Sequence, residues 1–353
     1  MTTADPALLL ASLTTLRLGG AARELVTATS EGDVVAAVRS AEPPVLVLGG
    51  GSNVVVADEG FRGTVVRVAT RGISRRDGGE KAVLDVQAGE PWDPFVAHCV
   101  AEDLAGVECL SGIPGSVGAT PIQNVGAYGQ EVAETIVRAR VYDRTRDRVL
   151  DLAPAGLGFG YRTSRLKREP ERWVVLAVSF ALERSDRSGP VRYVELARAL
   201  GIPVGGSAPL AQVREAVLEL RRGKGMVVDT EDPDSVSAGS FFTNPILEYD
   251  AFQALDERVR ERLGPDARLP RWPEPDGRVK TSAAWLIDRA GFARGHGDPL
   301  TVAISGKHTL ALTNRGGGTT AQLVALAREI AAGVEEAFGV GLTPEPVFVG
   351  HEW

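Results

Sequence analysis

The chain alternates short runs of β-favouring apolar residues with stretches in which apolar residues recur at helical spacing. "PVLVLGGG" (44–51) is an apolar run closed by three glycines, and "TVVRVA" (64–69) follows the turn-forming "ADEGFRG", so the pair predicts strand, turn, strand. "AVLDVQAG" (82–89) predicts a further strand, and "PWDPFVAHCVAEDL" (91–104) a helix opened by proline. Strands are also predicted at "IVRARVYD" (136–143) and "WVVLAVSFAL" (173–182), on either side of "GLGFGYRTSRLK". Leu210, Val213, Val217 and Leu220 mark one face of a helix over 209–222. Leu323, Leu326, Ala327, Ile330 and Val334 mark another over 319–337, between the predicted strands "HTLALTN" (308–314) and "PVFVG" (346–350). In "SAGSFFTNP" (237–245), Gly239 predicts a tight turn entering a buried strand, with Phe241 and Phe242 packing to either side.

At 353 residues the chain exceeds one ordinary core and predicts two or three domains. A boundary is expected between 185 and 235, near the acidic, turn-rich "DTEDPDSVSAG". Hydrophobic residues make up 44% and charged residues 24%, the composition of a globular protein, and the net charge of −7 argues against nucleic-acid or anionic-membrane partners. No 18-residue apolar window exists, and Asp5 rather than a basic segment precedes the first apolar run. Neither a membrane span nor a signal peptide is expected, and a cytoplasmic location follows as the default. Cys99 and Cys109 form no CxxC motif and read as buried thiols, even with His98 beside the first.

Familiar motifs are mostly eliminated. "GGGSNV" (49–54) lacks the third glycine of GxGxxG and the GK[ST] ending of a P-loop. No serine sits in GxSxG, and the four histidines show no metal-ligand spacing, so a serine hydrolase and a metalloenzyme are both disfavoured. What remains is two glycine-rich loops after strands. One is short, with Ser52 and Asn53; the other spans 111–131, nearly uncharged, with Ser111, Ser116, Gln123 and Asn124. Such loops expose backbone N–H groups, which can hold a pyrophosphate without net positive charge, although plain structural turns have the same composition.

"LGGGSN", "SGIPGSVGATPIQNVGAYG", "GYRTS", "AGSFFTNP" and "TPEPVFVG" occur in an order and at distances that resemble the UDP-N-acetylenolpyruvoylglucosamine reductases, the MurB family, of the first of its two types. The resemblance runs from about Thr15 to Gly350. It implies a flavoprotein that takes hydride from NADPH onto non-covalent FAD and passes it to the enolpyruvyl group of UDP-N-acetylglucosamine enolpyruvate, yielding UDP-N-acetylmuramate for peptidoglycan. The implied fold class is α+β: an FAD-binding domain of the vanillyl-alcohol oxidase (PCMH) type in two lobes, plus a C-terminal α+β substrate domain. Mapped onto this chain, the lobes are 1–68 and 69–215, with the PCMH-type domain at about 16–185, and the substrate domain is 216–353. By the same resemblance the cofactor would be held by Gly49, Gly50, Gly51, Ser52, Asn53, Ile113, Gly115, Ser116, Gly118, Ala119, Asn124 and Gly126.

Hydride addition to one carbon of an enol ether conjugated to a carboxylate leaves negative charge on the neighbouring carbon. The reaction therefore needs a charge stabiliser and a proton donor. The resemblance assigns stabilisation to Arg162, whose planar guanidinium suits a carboxylate or enolate, and proton donation to Ser240, with Glu345 as the third catalytic residue. Read without the resemblance, Arg162 is a surface arginine in a basic stretch, and Glu345 a solvated turn residue stiffened by Pro344 and Pro346. The resemblance also places Tyr128, Lys224, Asn244 and Lys280 in the substrate site and makes "GPVRYVELARALG" (189–201) a lid carrying Tyr193, itself readable as the start of an ordinary amphipathic helix. His351, Glu352 and Trp353 receive no role. Two alternatives stand beside this reading: an oxidase of the vanillyl-alcohol type, disfavoured because neither glycine loop holds a histidine for tethering flavin, and a non-catalytic flavin or nucleotide-sugar binding module, which would not need Ser240, Arg162 and Glu345 together. The sequence does not set the oligomeric state.

Overall fold

The structure, a computed structural model, describes residues 8–76 and 79–353. Asp5 and the start of the first proposed lobe lie outside them. The chain divides into two compact units. The first contains Ala22–Gly51 and Phe61–Val228, and the second contains Leu9–Ala21, Ser52–Gly60 and Asp229–Trp353. The chain thus leaves the first unit directly after the three glycines.

In the first unit, strands Ala22–Ala28, Phe61–Val68 and Val45–Leu48 form a parallel sheet with Phe61–Val68 in the middle. The helix Glu31–Ser40 provides the crossover from the first of these strands. It begins in a capping box, the Ser30 hydroxyl accepting from Asp33 N while the Asp33 carboxylate accepts from Ser30 N. A second sheet orders Arg148–Leu152, Ile136–Asp143, Trp173–Arg184, Lys81–Gln87 and Ile73–Arg76, all antiparallel. Its central strand is the continuous apolar run predicted from sequence: every residue from Trp173 to Phe180 is buried. Lys81–Gln87 shows the alternation of a strand with one face on the core. The helix Trp92–Ala101 packs its aromatic side against this sheet, Phe95 lying 5.0 Å and Trp92 5.9 Å from the Phe180 ring. The helix Leu210–Arg222 buries Val213 and Val217 with Leu196 and Ala197 of the short helix Val194–Ala199 and with Cys109.

The second unit is built on the helix Thr320–Phe338, whose predicted face (Leu323, Leu326, Ala327, Ile330, Val334) is buried with Leu286, Ile287 and Phe252. Its N-terminal N–H groups are doubly satisfied. Thr319 and Gln322 form a capping box, and Asp58 accepts from Thr320 N (2.7 Å) and Ala321 N (2.9 Å). Ser237–Ser240, Ala311–Asn314 and Val302–Ile304 make an antiparallel sheet, while Val54–Val56 pairs in parallel with the last strand, Val347–Val349.

Two segments fold differently from their predicted form. The predicted strand 308–314 forms only over Ala311–Asn314, because the Ser305 hydroxyl accepts from Lys307 N and His308 N and bends the preceding residues into a turn. Gly239 does not begin a strand but lies inside one. Ser237 pairs with Thr313 and Ser240 with Ala311, so three steps on one strand face two on the other, and Gly239 takes up the extra residue at φ +75°.

Candidate active site

The two glycine loops meet within the first unit. A Cβ on Gly50 would lie 2.6 Å from Gly115 Cα and 2.8 Å from its carbonyl carbon, and one on Gly49 would strike the Ser116 hydroxyl. Only glycine permits this approach. The longer loop is pinned from below: Trp92 N donates to Gly115 O (3.0 Å), Val117 N to Glu90 O (2.8 Å) and Gly118 N to Ala88 O (2.8 Å). A Cβ on Gly118 would reach 2.5 Å from that of Ala88. Ala119 ends a single 3-10 turn, and half-buried Ile113 packs on the main core. Among the described residues of this unit, the backbone N–H groups of Gly49, Gly50, Gly115 and Ser116 have no acceptor. A close-packed, uncharged cradle with unused N–H donors fits the pyrophosphate of a dinucleotide cofactor.

Beyond the cradle the loop carries strained backbone. Asn124 and Tyr128 have φ of +47° and +50°, and Arg162 has +52°. Such conformations cost a non-glycine residue roughly 1–2 kcal/mol, and they persist only where surroundings enforce them. The enforcement is visible. Asn124 is buried, its amide donating to Glu131 (2.7 Å) and Gly160 O (3.1 Å) while its oxygen accepts from Ala133 N (3.2 Å). Its side chain is thus a brace for the loop. Arg162 donates to Gly126 O at 2.6 Å and to Asn124 O at 3.5 Å, stacks 5.3 Å from the Tyr161 ring, and its own carbonyl accepts from Lys167 Nζ. A Cβ on Gly126 would lie 3.0 Å from this guanidinium.

Tyr128 and Tyr193 meet edge to face at 5.4 Å. Lys224 Nζ lies 5.6 Å from the Tyr128 ring and 2.6 Å from Glu195 Oε2. Burial pushes the Tyr128 phenol up to about 12, and burial, with Glu195 adding to it, raises Tyr193 as well. Both hydroxyls are therefore hydrogen-bond donors at neutral pH.

In the second unit, the bulge at Gly239 sets the direction of half-buried Ser240. The residues after it are zipped to the segment bearing Glu345: Glu345 N donates to Phe241 O (2.8 Å), Thr243 N to Thr343 O (3.0 Å), and Phe242 bridges to Pro344. Asn53 contributes from a distant part of the sequence, its amide donating to Glu345 O (3.3 Å) and its carbonyl accepting from Val347 N (3.0 Å). The phenylalanines are both buried and lie 5.2 Å apart. Trp353, without a role in the sequence reading, covers them at 6.3 and 6.0 Å and lies 5.7 Å from Phe348. The only sequence signal for this was its aromatic character near Phe348. Asn244 accepts from Ala283 N (3.1 Å) at the start of the helix Ala283–Arg289, and Lys280 pairs with Glu274 at 2.7 Å.

The proposed residues thus form two sets. Gly49–Gly51, Ile113 to Gly126, Tyr128, Arg162, Tyr193 and Lys224 belong to the first unit, and Ser52, Asn53, Ser240, Asn244, Lys280 and Glu345 to the second. Among the described residues there is no cluster of His, Cys, Asp and Glu that could hold a metal, and no helix long and apolar enough to cross a membrane.

Comparison with known proteins bears on both units. Residues 22–152 match a family model described as an FAD binding domain, and residues 232–349 match the C-terminal domain of UDP-N-acetylenolpyruvoylglucosamine reductase. Over 345 residues the chain is 57% identical to the UDP-N-acetylenolpyruvoylglucosamine reductase of Thermobifida fusca, covering 97% of this chain and 96% of that one. It is 58% identical to the enzyme of the same description from Streptomyces coelicolor, covering 97% and 89%. Among solved structures, the reductase (MurB) from Thermus caldophilus matches with a TM-score of 0.65 at 25% identity, over 97% of both chains.

Proposed function

The chain belongs to the UDP-N-acetylenolpyruvoylglucosamine reductase family, and on that premise we propose how its residues divide the reaction. It is an FAD-dependent oxidoreductase that reduces the enolpyruvyl group of UDP-N-acetylglucosamine enolpyruvate to give UDP-N-acetylmuramate, with NADPH as the reductant. Bound FAD supplies the hydride relay between NADPH and the enolpyruvyl group.

Residues 16–185, in lobes 1–68 and 69–215, hold the cofactor, and 216–353 serve the substrate. The N–H groups of Gly49, Gly50, Gly115 and Ser116 receive the pyrophosphate, supported by the fit of their unfilled donors to an anion. Ser52 and Asn53 extend that loop, and the Asn124 brace keeps the longer loop in shape.

Arg162 holds the substrate carboxylate and stabilises the charge that grows there as hydride arrives. Ser240 Oγ then gives its proton to the neighbouring carbon, and Glu345, in its carboxylic-acid form, helps stabilise the charge left on the serine. Lys224 and Lys280 pair with the anionic groups of the nucleotide sugar, Asn244 and Tyr128 supply hydrogen bonds, and Tyr193 closes over the substrate from the 189–201 segment. The reaction is placed in the cytoplasm. The observation that carries this division of labour is the junction of the Ser240 strand with the segment bearing Glu345 through Phe241, held by a glycine bulge on one side and backbone bonds on the other.

The test is spectroscopic. The purified protein should be yellow, bleach on anaerobic addition of NADPH, and recover its colour when UDP-N-acetylglucosamine enolpyruvate is added. A reduced flavin that the sugar nucleotide leaves bleached would overturn the reading.

A further inference from the structure

We propose that Glu195 is a positioning residue that sets affinity for the nucleotide-sugar substrate by holding Lys224 until the substrate's diphosphate takes it. The proposal rests on the reading above that Lys224 serves the substrate site.

The contact itself is close. Lys224 Nζ lies 2.6 Å from Glu195 Oε2, with side chains 31% and 40% exposed. Lys224 stands just beyond the helix Leu210–Arg222, where backbone carbonyls also favour a cation. Its ammonium is aimed over Tyr128, whose ring meets that of Tyr193. Tyr128 from the longer glycine loop and Glu195 from the 189–201 segment thus both meet this one cation, with Tyr193 packed against Tyr128.

Glu195 is well placed to compete rather than merely to cover. Its helix, Val194–Ala199, is anchored by buried Leu196 and Ala197 against Val213, Ala216 and Val217, so the carboxylate stands on a fixed base. Release of Lys224 then needs only side-chain rotation and no unfolding of the segment. A single carboxylate on a partly exposed ammonium is a weak competitor, worth about two- to five-fold in an equilibrium constant. A diphosphate carries more charge and displaces it, yet every substrate molecule that binds must first break this pair and approach past its negative charge.

The experiment uses the full-length holoenzyme. Glu195→Gln, Lys224→Ala and the double variant are titrated with UDP-N-acetylglucosamine enolpyruvate, following the visible flavin spectrum in the absence of NADPH, and KM and kcat are measured separately. Flavin content and melting temperature equal to wild type mark each variant as folded. Glu195→Gln should tighten binding and lower KM about two- to five-fold, more at low salt, with the change in KM rather than kcat. In the Lys224→Ala background the same substitution should bring no gain at high salt, where repulsion is screened and only competition for the ammonium would be left to relieve. Glu195→Asp, which keeps the charge on a shorter reach, should fall between wild type and Glu195→Gln. Unchanged or weakened binding in Glu195→Gln, with Lys224→Ala still weakening it, overturns the role of Glu195 alone. Undiminished affinity in Lys224→Ala overturns the assignment of Lys224 and this proposal with it.

Discussion

The two units solve the same problem of precision with opposite materials. In the first, the Gly49–Gly51 and 111–126 loops work by leaving side chains out, so that backbone meets backbone and N–H groups stay available. In the second, the Ser240 and Glu345 segments work by carrying side chains, and glycine appears for a single conformational purpose: a Cβ on Gly239 would meet nothing within 4 Å, yet its φ of +75° disfavours any other residue. A glycine can therefore be required by space or by torsion, and the two requirements should fail differently.

The largest expected effect is chemical. Ser240→Ala removes the proposed donor, so reoxidation of reduced flavin by substrate should slow by about 10²–10⁴-fold while NADPH still reduces the flavin. Equal turnover would move proton donation to another group. Next, Gly50→Ala puts a methyl against Gly115 backbone that cannot rotate away, and should cost about 1–3 kcal/mol, read as lost flavin per protein. Gly49→Ala should be milder, because it meets a serine hydroxyl that can turn. Flavin retention equal to wild type in Gly50→Ala would break the contrast from the first side. Gly239→Ala should cost about 1–2 kcal/mol by strain, leave flavin content intact and slow only the substrate half-reaction, a combination that stopped-flow and thermal melts can separate.

The smallest effect lies away from both sites. Burial works to raise the Asp85 carboxyl, but bonds from Arg76, Ser179 and Arg138 outweigh it and hold its pKa at about 2. A carboxylate depressed on folding stabilises above its unfolded pKa, near 4, and that stability is lost as pH falls toward 2. Wild type should therefore lose about 1–2 kcal/mol over this window relative to Asp85→Asn, whose acid melts lack the step.

Much of the fold was legible because local pattern and burial agree. The run 173–182 is apolar at every position but Ser179 since Trp173–Arg184 is the central, buried strand of its sheet, and Leu323 to Val334 recur at helical spacing since one face of their helix is buried. The glycine loops and the residues carried over by resemblance were also visible as motifs. Other features depend on partners remote in sequence. Nothing near Gly239 announces a bulge, because the offset is defined by Thr313 and Ala311. The positive φ of Arg162 is enforced by the turn around it and by carbonyls at Asn124 and Gly126. Glu195 could not be singled out, since its meaning comes only from the ammonium that folding brings to it.

The pairing of Val54–Val56 with Val347–Val349 has a consequence for how the molecule comes into being. Asn53 and Glu345, bonded across this pairing, are 292 positions apart. During synthesis the early strand must wait for almost the whole chain to emerge before its partner exists, and the second unit cannot close until then. The first unit, whose main sheet is complete once Arg184 has been made, faces a much shorter delay. Assembly of the glycine cradle should therefore precede the joining of Ser240 to Glu345, and cutting the chain at Val228 would separate Val347–Val349 from the strand it needs rather than release an intact domain.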